Sequence, residues 1–127
     1  IKPNKLEAEI LSGITIYSND DLERAGEYFL HKGVKKVLIS LGAKGVFYMT
    51  QDKQGIIKIP RINTVSSTGA GDAFVAGLAY GEYNDYDIEE ASKFGLGAAI
   101  LTSLNEKTVS DHISVKNVEN IIKEMEI

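Results

Sequence analysis

The 127-residue sequence has no cysteine, no tryptophan, two prolines and two histidines. Without cysteine, disulfides and thiolate metal sites are excluded, and a cytoplasmic setting fits. Neither histidine has partners at metal-ligand spacing. His31 reads as a favourable charge at a helix end. His112 follows Asp111, and adjacent residues do not face each other as an acid–base pair. Lysine and arginine number 14 against 18 acids, a net charge of −4, with no basic run. A nucleic-acid groove is therefore not expected. No apolar run reaches the roughly 20 residues of a membrane span, and no signal-peptide pattern is present. What remains is ordinary for a soluble globular chain, with 43% hydrophobic and 25% charged residues.

One modest domain fits this length. Asn4 can cap a helix through Leu11, with Glu7 in its first turn and Gly13 at its end. Asn19 or Asp20 opens a second helix with Leu22, Ala25, Phe29 and Leu30 on one stripe, stopped by Gly33. Strands are expected over 34–40, 45–50 and 56–62, the last two joined by a polar turn over 51–55. Helices follow over 70–83, from the Asp87 cap to about 104, and over 115–125. Mixed strands and helices indicate an α/β layered fold. The chain opens with Ile1 rather than Met, and Lys2-Pro3-Asn4 looks like a strand end entering a helix. It is expected to be cut from a longer polypeptide.

Three segments carry chemistry. Ser66-Ser67-Thr68-Gly69-Ala70-Gly71-Asp72 runs straight into a helix. Small residues let backbone N–H groups approach an anion, and a helix N-terminus offers unpaired donors and partial positive charge. Asp72 places a carboxylate beside that anion hole. The pattern suits phosphoryl transfer to an alcohol, with amides holding the phosphate and the acid taking the hydroxyl proton. A dinucleotide fingerprint would need a third glycine where Phe74 stands. A Walker A loop would need Gly-Lys-Ser/Thr. The plain alternative is a glycine-rich turn capping a helix.

The second segment is Asn4–Glu7. An amide and a carboxylate three residues apart share a helical face. They could order water around Mg²⁺, a hard ion that keeps its waters. The alternative is an N-cap with a favourable first-turn acid. The third is Ser40-Leu41-Gly42-Ala43-Lys44-Gly45, a strand end and turn where an α/β protein could meet nucleotide phosphates, or a simple β-turn. Tyr80, Tyr83 and Tyr86 recur every three residues and read as packing or an interface. Glu89-Glu90 reads as a solvated first helical turn.

Together the three segments resemble the ribokinase-like, or PfkB, family of carbohydrate and nucleoside kinases. The family's marks are an Asn-x-x-Glu element, a Ser/Thr-x-Gly-x-x-Gly turn and, downstream of both, a Gly-Ala-Gly-Asp turn, in this order. The stretch 94–99 with Leu104-Asn105 resembles the segment flanking the adenine pocket. The resemblance covers the whole chain but only the C-terminal half of a family member. Within the family, pseudouridine kinases resemble it most, on Lys2-Pro3, 7–11 and the stretch from Lys93 to Asn105.

The resemblance implies the C-terminal portion of a three-layer α/β/α fold and an ATP-dependent transfer to a sugar or nucleoside hydroxymethyl group. Asp72 would be the general base. The amides of Gly69, Ala70 and Gly71 would form the anion hole. Asn4 and Glu7 would organise Mg²⁺ through water. Lys2, Ser40, Gly42, Lys44, Gly45, Thr68 and Asn105 would line the nucleotide. Two departures are plain. Many relatives have Asp at the position of Ser66, where it helps bind a monovalent cation, so a K⁺ requirement stays open. Glu106 and Lys107 stand where many relatives have Gly, which bears on the shape of the adenine pocket. The rival reading is a nucleotide-binding or regulatory module without chemistry. The missing half should leave the fragment inactive, with an apolar face and sheet edge exposed to self-association or to that half.

Overall fold

A computed structural model describes residues 1–59, 70–103, 114–125 and 127. The chain forms two compact units, Ile1–Lys58 and Ile59–Ile127.

In the first unit, helix α1 (Lys5–Ser12) begins at Asn4. Asn4 Oδ1 accepts from the Glu7 N–H at 2.8 Å and Glu7 Oε1 accepts from the Asn4 N–H at 2.9 Å. This reciprocal box satisfies two donors that a helix start leaves orphaned. Gly13, at φ 71°, ends the helix with its N–H on the Glu9 carbonyl. Helix α2 (Asn19–His31) opens at Asn19, one of the two expected starts, with Ser18 as its cap. Its signal is Ser18-x-x-Asp21, an acid three residues after a serine.

Strand β1 (Val37–Ser40) is shorter than the expected 34–40. The Gly33 N–H bonds the Leu30 carbonyl and the Val34 N–H bonds the Phe29 carbonyl, with Gly33 at φ 97°. This is a Schellman closure, and it spends Val34 on ending α2. Strand β2 (Val46–Met49) pairs antiparallel with β1, Val37 facing Met49 and Ser40 facing Val46. Strand β3 (Gln54–Ile57) pairs antiparallel with β2. The turn is tighter than 51–55. The Thr50 hydroxyl accepts from the Asp52 and Lys53 N–H groups, and the Thr50 N–H reaches the Lys53 carbonyl at 2.7 Å. Gln54 and Gly55 therefore belong to the strand, which ends at Ile57. Residues 60–62 lie outside the described residues.

Residues 1–4 run alongside β1 in the parallel sense. The Leu38 N–H bonds the Ile1 carbonyl, the Ser40 N–H bonds the Pro3 carbonyl, and Asn4 bridges Ser40. The expected strand end entering a helix is thus present. Ala8, Ala25, Phe29, Val37, Ile39, Phe47 and Met49 form the core under α1 and α2.

The Asp21 carboxylate holds the entry to α2, accepting from the Tyr17 N–H at 2.9 Å and the Ser18 N–H at 3.2 Å. The Tyr17 N–H, chiefly, lowers its pKa below the ordinary carboxylate value, with Ser18 and Arg24 adding to the effect. A lowered folded-state pKa gives stability that is present above the unfolded value, near 3.9, and lost as pH falls through the folded one. Asp21→Asn is expected to shrink the loss of stability between pH 5 and pH 2. Urea unfolding of both proteins at the two pH values measures it, and equal losses would refute the role given to Asp21.

The second unit is helical among the described residues: α3 (Ala70–Tyr83), α4 (Ile88–Ser103) and α5 (Val115–Glu124). Helices α3 and α4 touch through small residues. A Cβ on Gly77 would sit 2.7 Å from the Gly95 Cα, and one on Gly95 would sit 2.9 Å from the Phe74 carbonyl oxygen. Only glycine permits that approach. Asp87 caps α4, its carboxylate accepting from the Glu90 N–H at 2.8 Å, and Ser114 caps α5. Helix α4 is described to Ser103 and α5 ends at Glu124, within one residue of expectation. Tyr80 stacks on Phe94 at 4.7 Å and Tyr86 meets the same ring edge-on. Tyr83, by contrast, is 88% exposed and takes no part in that packing.

Candidate active site

In the first unit, the Asn4–Ser40 bridge brings two of the three sequence segments together. Residues 1–4 and β1 run parallel, so their carboxyl ends lie side by side. One continues into the N-terminus of α1 and the other into a 3₁₀ turn over Gly42–Lys44. Ligands of open α/β sheets bind outside such carboxyl ends.

The turn has a fixed shape. The Leu41 N–H bonds the Gly45 carbonyl at 2.8 Å, and the Gly45 N–H bonds the Gly42 carbonyl at 3.1 Å. Gly42 has φ 63° and Gly45 has φ 111°. A Cβ on Gly45 would collide with the Ile57 carbonyl oxygen, whereas one on Gly42 meets open space. Gly45 therefore serves the fold, and Gly42 leaves the turn's outer surface bare. Gly45→Ala is expected to cost at least about 1–3 kcal/mol from backbone strain, with the collision added. A large drop in melting temperature checks it, and an unchanged one would contradict this packing. Lys44 is exposed and lines a groove of about 320 Å³ with Lys5, Tyr17, Leu22 and Leu41. Lys2 is exposed.

Asn4 and Glu7 show the capping reading in full, each with one oxygen engaged in the box. Among the described residues, no cluster of three or more His, Asp or Glu could hold a metal directly. An amide and one carboxylate fit Mg²⁺ only through its waters, the manner in which that ion is commonly held beside phosphates.

In the second unit, Ala70 and Gly71 are the first two residues of α3 and Asp72 is the third. Their N–H groups are among the four that a helix start leaves without intrahelical partners. Gly71 and Asp72 are exposed, and a Cβ on Gly71 would meet nothing within 4 Å. One residue further, Ala73 begins an apolar groove of about 270 Å³, with Ala76, Gly77, Phe94, Ala98 and Val118 in its walls. Small residues on α3 and α4 hollow it out. Ala98 lies in the 94–99 stretch that resembles the segment flanking the adenine pocket, whereas Ala73 and Val118 were not singled out in the sequence. Their signal was the recurrence of small side chains on α3 and α4, which pack against each other. Thr68, Gly69, Asn105 and the Ser66, Glu106 and Lys107 departures lie outside the described residues, as do Asp111 and His112.

A family model for pfkB family carbohydrate kinases matches residues 1–113. The chain belongs to this family. It is 32% identical over 127 residues to the pseudouridine kinase of Escherichia coli K12, covering 99% of this chain and 41% of that protein. A Clostridium perfringens protein assigned as a sugar kinase superposes with a TM-score of 0.92 at 43% identity, covering 98% of this chain and 39% of the other. The Arabidopsis thaliana ribokinase, solved with ribose and ATP, superposes with a TM-score of 0.84 at 30% identity over 96% of this chain and 40% of its own. The pfkB chain is thus part of a ribokinase-like α/β fold, as its three motifs imply. It spans about two-fifths of the length of these relatives. No described helix is long and apolar enough to cross a membrane.

Proposed function

We propose that this chain is the nucleotide-binding and catalytic portion of an ATP-dependent kinase acting on a hydroxymethyl group of a sugar or nucleoside. The observation that carries this reading is Asp72: exposed, in the first turn of α3, just after two residues whose amides open the helix. The pfkB match and the ribokinase solved with ribose and ATP support it. Pseudouridine is the acceptor to try first, because a pseudouridine kinase aligns with 99% of the chain.

In the proposed reaction the acceptor oxygen attacks the γ-phosphorus, its proton passes to the Asp72 carboxylate, and the bond to the β-phosphate oxygen breaks to release ADP. The amides of Gly69, Ala70 and Gly71 hold charge developing on the transferred group, as preorganised donors do. Ser40, Gly42, Lys44, Lys2 and Thr68 serve the phosphates and ribose, with Gly45 holding the shape of the turn. The adenine ring suits the apolar groove beside Ala73, and Asn105 is the residue proposed to meet the base. Bound Mg²⁺ would neutralise phosphate charge, with Asn4 and Glu7 orienting its waters. Using ATP, the protein would work in the cytoplasm.

A coupled assay of a polypeptide holding this chain with the rest of a kinase fold, against pseudouridine, ribose, fructose and adenosine, tests the reading. Turnover of at least one is expected, and none would overturn it. Residues 1–127 alone are expected to phosphorylate nothing, since positioning the alcohol and excluding water need the portion that relatives carry beyond the match. Measured turnover by the 127 residues would refute that expectation.

A further inference from the structure

The Asn4–Ser40 bridge also sets two lysines at one end of neighbouring extended segments. Lys5 is the first residue of α1, and Lys44 is the last of the 3₁₀ turn. Both are exposed, and among the described residues neither has an ion-pair partner. They line one groove of about 320 Å³, the size of a small-molecule site. Two of its other lining residues are apolar and buried, Ile16 at 3% and Leu22 at 4% exposed. Tyr17 lines it as well, and is 89% exposed. A tyrosine ring usually buries much of its area. This one meets no other ring among the described residues. Its backbone is nonetheless held on both sides. The Ile16 N–H donates to Glu9 Oε2 at 2.8 Å, and the Tyr17 N–H donates to Asp21 Oδ2 at 2.9 Å. Both carboxylates are thereby engaged, and Asp21 is further paired with Arg24.

We infer that this groove binds a nucleoside monophosphate, with its phosphate between Lys5 and Lys44 and its base against Tyr17. Each part of the groove matches one part of that ligand. Lysine meets phosphate as a compact point charge, and two unpaired lysines suit a doubly charged group. A flat base gains from stacking on an exposed aromatic ring, whichever base it is. The buried Ile16 and Leu22 give the ligand apolar surface to cover. The opening of α2 is not needed as an anion site, because Ser18 already caps it. Lys44 borders both this groove and the Ser40–Gly45 turn, whereas Lys5 and Tyr17 belong to no motif in the sequence. The inference needs neither ATP on that turn nor the role given to Asp72.

The test titrates the 127-residue protein with UMP, AMP, uridine and inorganic phosphate, read by calorimetry and by the NMR signals of the Tyr17 ring. The two monophosphates are expected to bind one to one and to shift those signals. Uridine and phosphate, each offering half of the ligand, should bind at least about tenfold more weakly, a difference of about 1.4 kcal/mol. Lys5→Gln should weaken monophosphate binding about fivefold, the worth of one unit charge about 4 Å away in a water-like medium. Tyr17→Ala should weaken it about fivefold or more, as loss of a stacking ring does. Both side chains are exposed, so circular dichroism and melting temperature should hold. Lys5→Arg and Tyr17→Phe keep the charge and the ring and should keep binding, which separates loss of the site from loss of the fold. Preference for UMP would mark pyrimidine nucleotides as the source and preference for AMP adenine nucleotides, and either supports the site. Two results would overturn the inference. One is no saturable binding of either monophosphate. The other is binding indifferent to both Lys5→Gln and Tyr17→Ala, which would put the ligand on the Ser40–Gly45 turn instead.

Discussion

In an intact kinase containing this chain, Asp72→Asn is expected to lower kcat by about 10²–10⁴-fold, the usual worth of a positioned general base. Nucleotide affinity should stay close to wild type. The substitution keeps the size and hydrogen-bonding reach of the side chain and removes only its ability to take a proton. Asp72 is exposed in the first turn of α3, so a structural role would be the usual one of a first-turn acid. That role is worth roughly 0.3–1 kcal/mol through the helix dipole. The two roles separate cleanly. Loss of the dipole term shifts the melting temperature slightly and leaves turnover alone. Loss of the base lowers turnover by about 10²–10⁴-fold while the melting temperature barely moves. Full turnover in the variant would sink the assignment and leave the Gly-Ala-Gly-Asp turn as a helix cap.

The helices were legible because their ends are written in local chemistry. Asn4 and Gly13 bound α1, and Asp87 caps α4, as their side-chain oxygens and positive-φ backbone require. The strands were less so. Val34 has every local property of a strand residue, yet its N–H closes α2 on the Phe29 carbonyl, a partner five residues back that composition does not reveal. Gly55 reads as a turn residue, but a Cβ there would lie 2.7 Å from the Tyr48 hydroxyl oxygen. Its cause is a side chain on the neighbouring strand. Tyr83 shares its spacing with Tyr80 and Tyr86 and not their burial. Helix α3 ends at Tyr83, and Asp85 at φ 59° redirects the chain so that Tyr86 returns to Phe94. The candidate site divides the same way. The residue types of Asn4–Glu7 and Ser40–Gly45 were visible, while their adjacency depends on the parallel pairing of Asn4 with Ser40, far apart in the chain. The groove beside Ala73 was least legible, since it is made by what small side chains leave empty.

The Asn4–Glu7 pair sets a second, sharper test, because both readings of it are physically sound. The reciprocal hydrogen bonds at 2.8 and 2.9 Å show a complete capping box. Asn4→Ala is therefore a poor probe: it would remove a cap worth about 0.5–2 kcal/mol and disturb the site by unfolding the first turn. Glu7→Gln is the informative change. Glutamine also closes a capping box through its side-chain oxygen, so stability should barely move. What it loses is the negative charge that would orient water on Mg²⁺. Partners of that outer shell are typically worth 10–100-fold in metal affinity or activity. The intact kinase carrying Glu7→Gln is accordingly expected to need about 10–100-fold more Mg²⁺, or to turn over more slowly by that factor at saturation. A Mg²⁺ titration of the initial rate reads this directly, with thermal unfolding in parallel. If the Mg²⁺ dependence and rate are unchanged, Glu7 is a capping residue and nothing more. If both change while the melting temperature holds, one side chain performs two tasks, capping the start of α1 with one oxygen and ordering the metal's water through its charge.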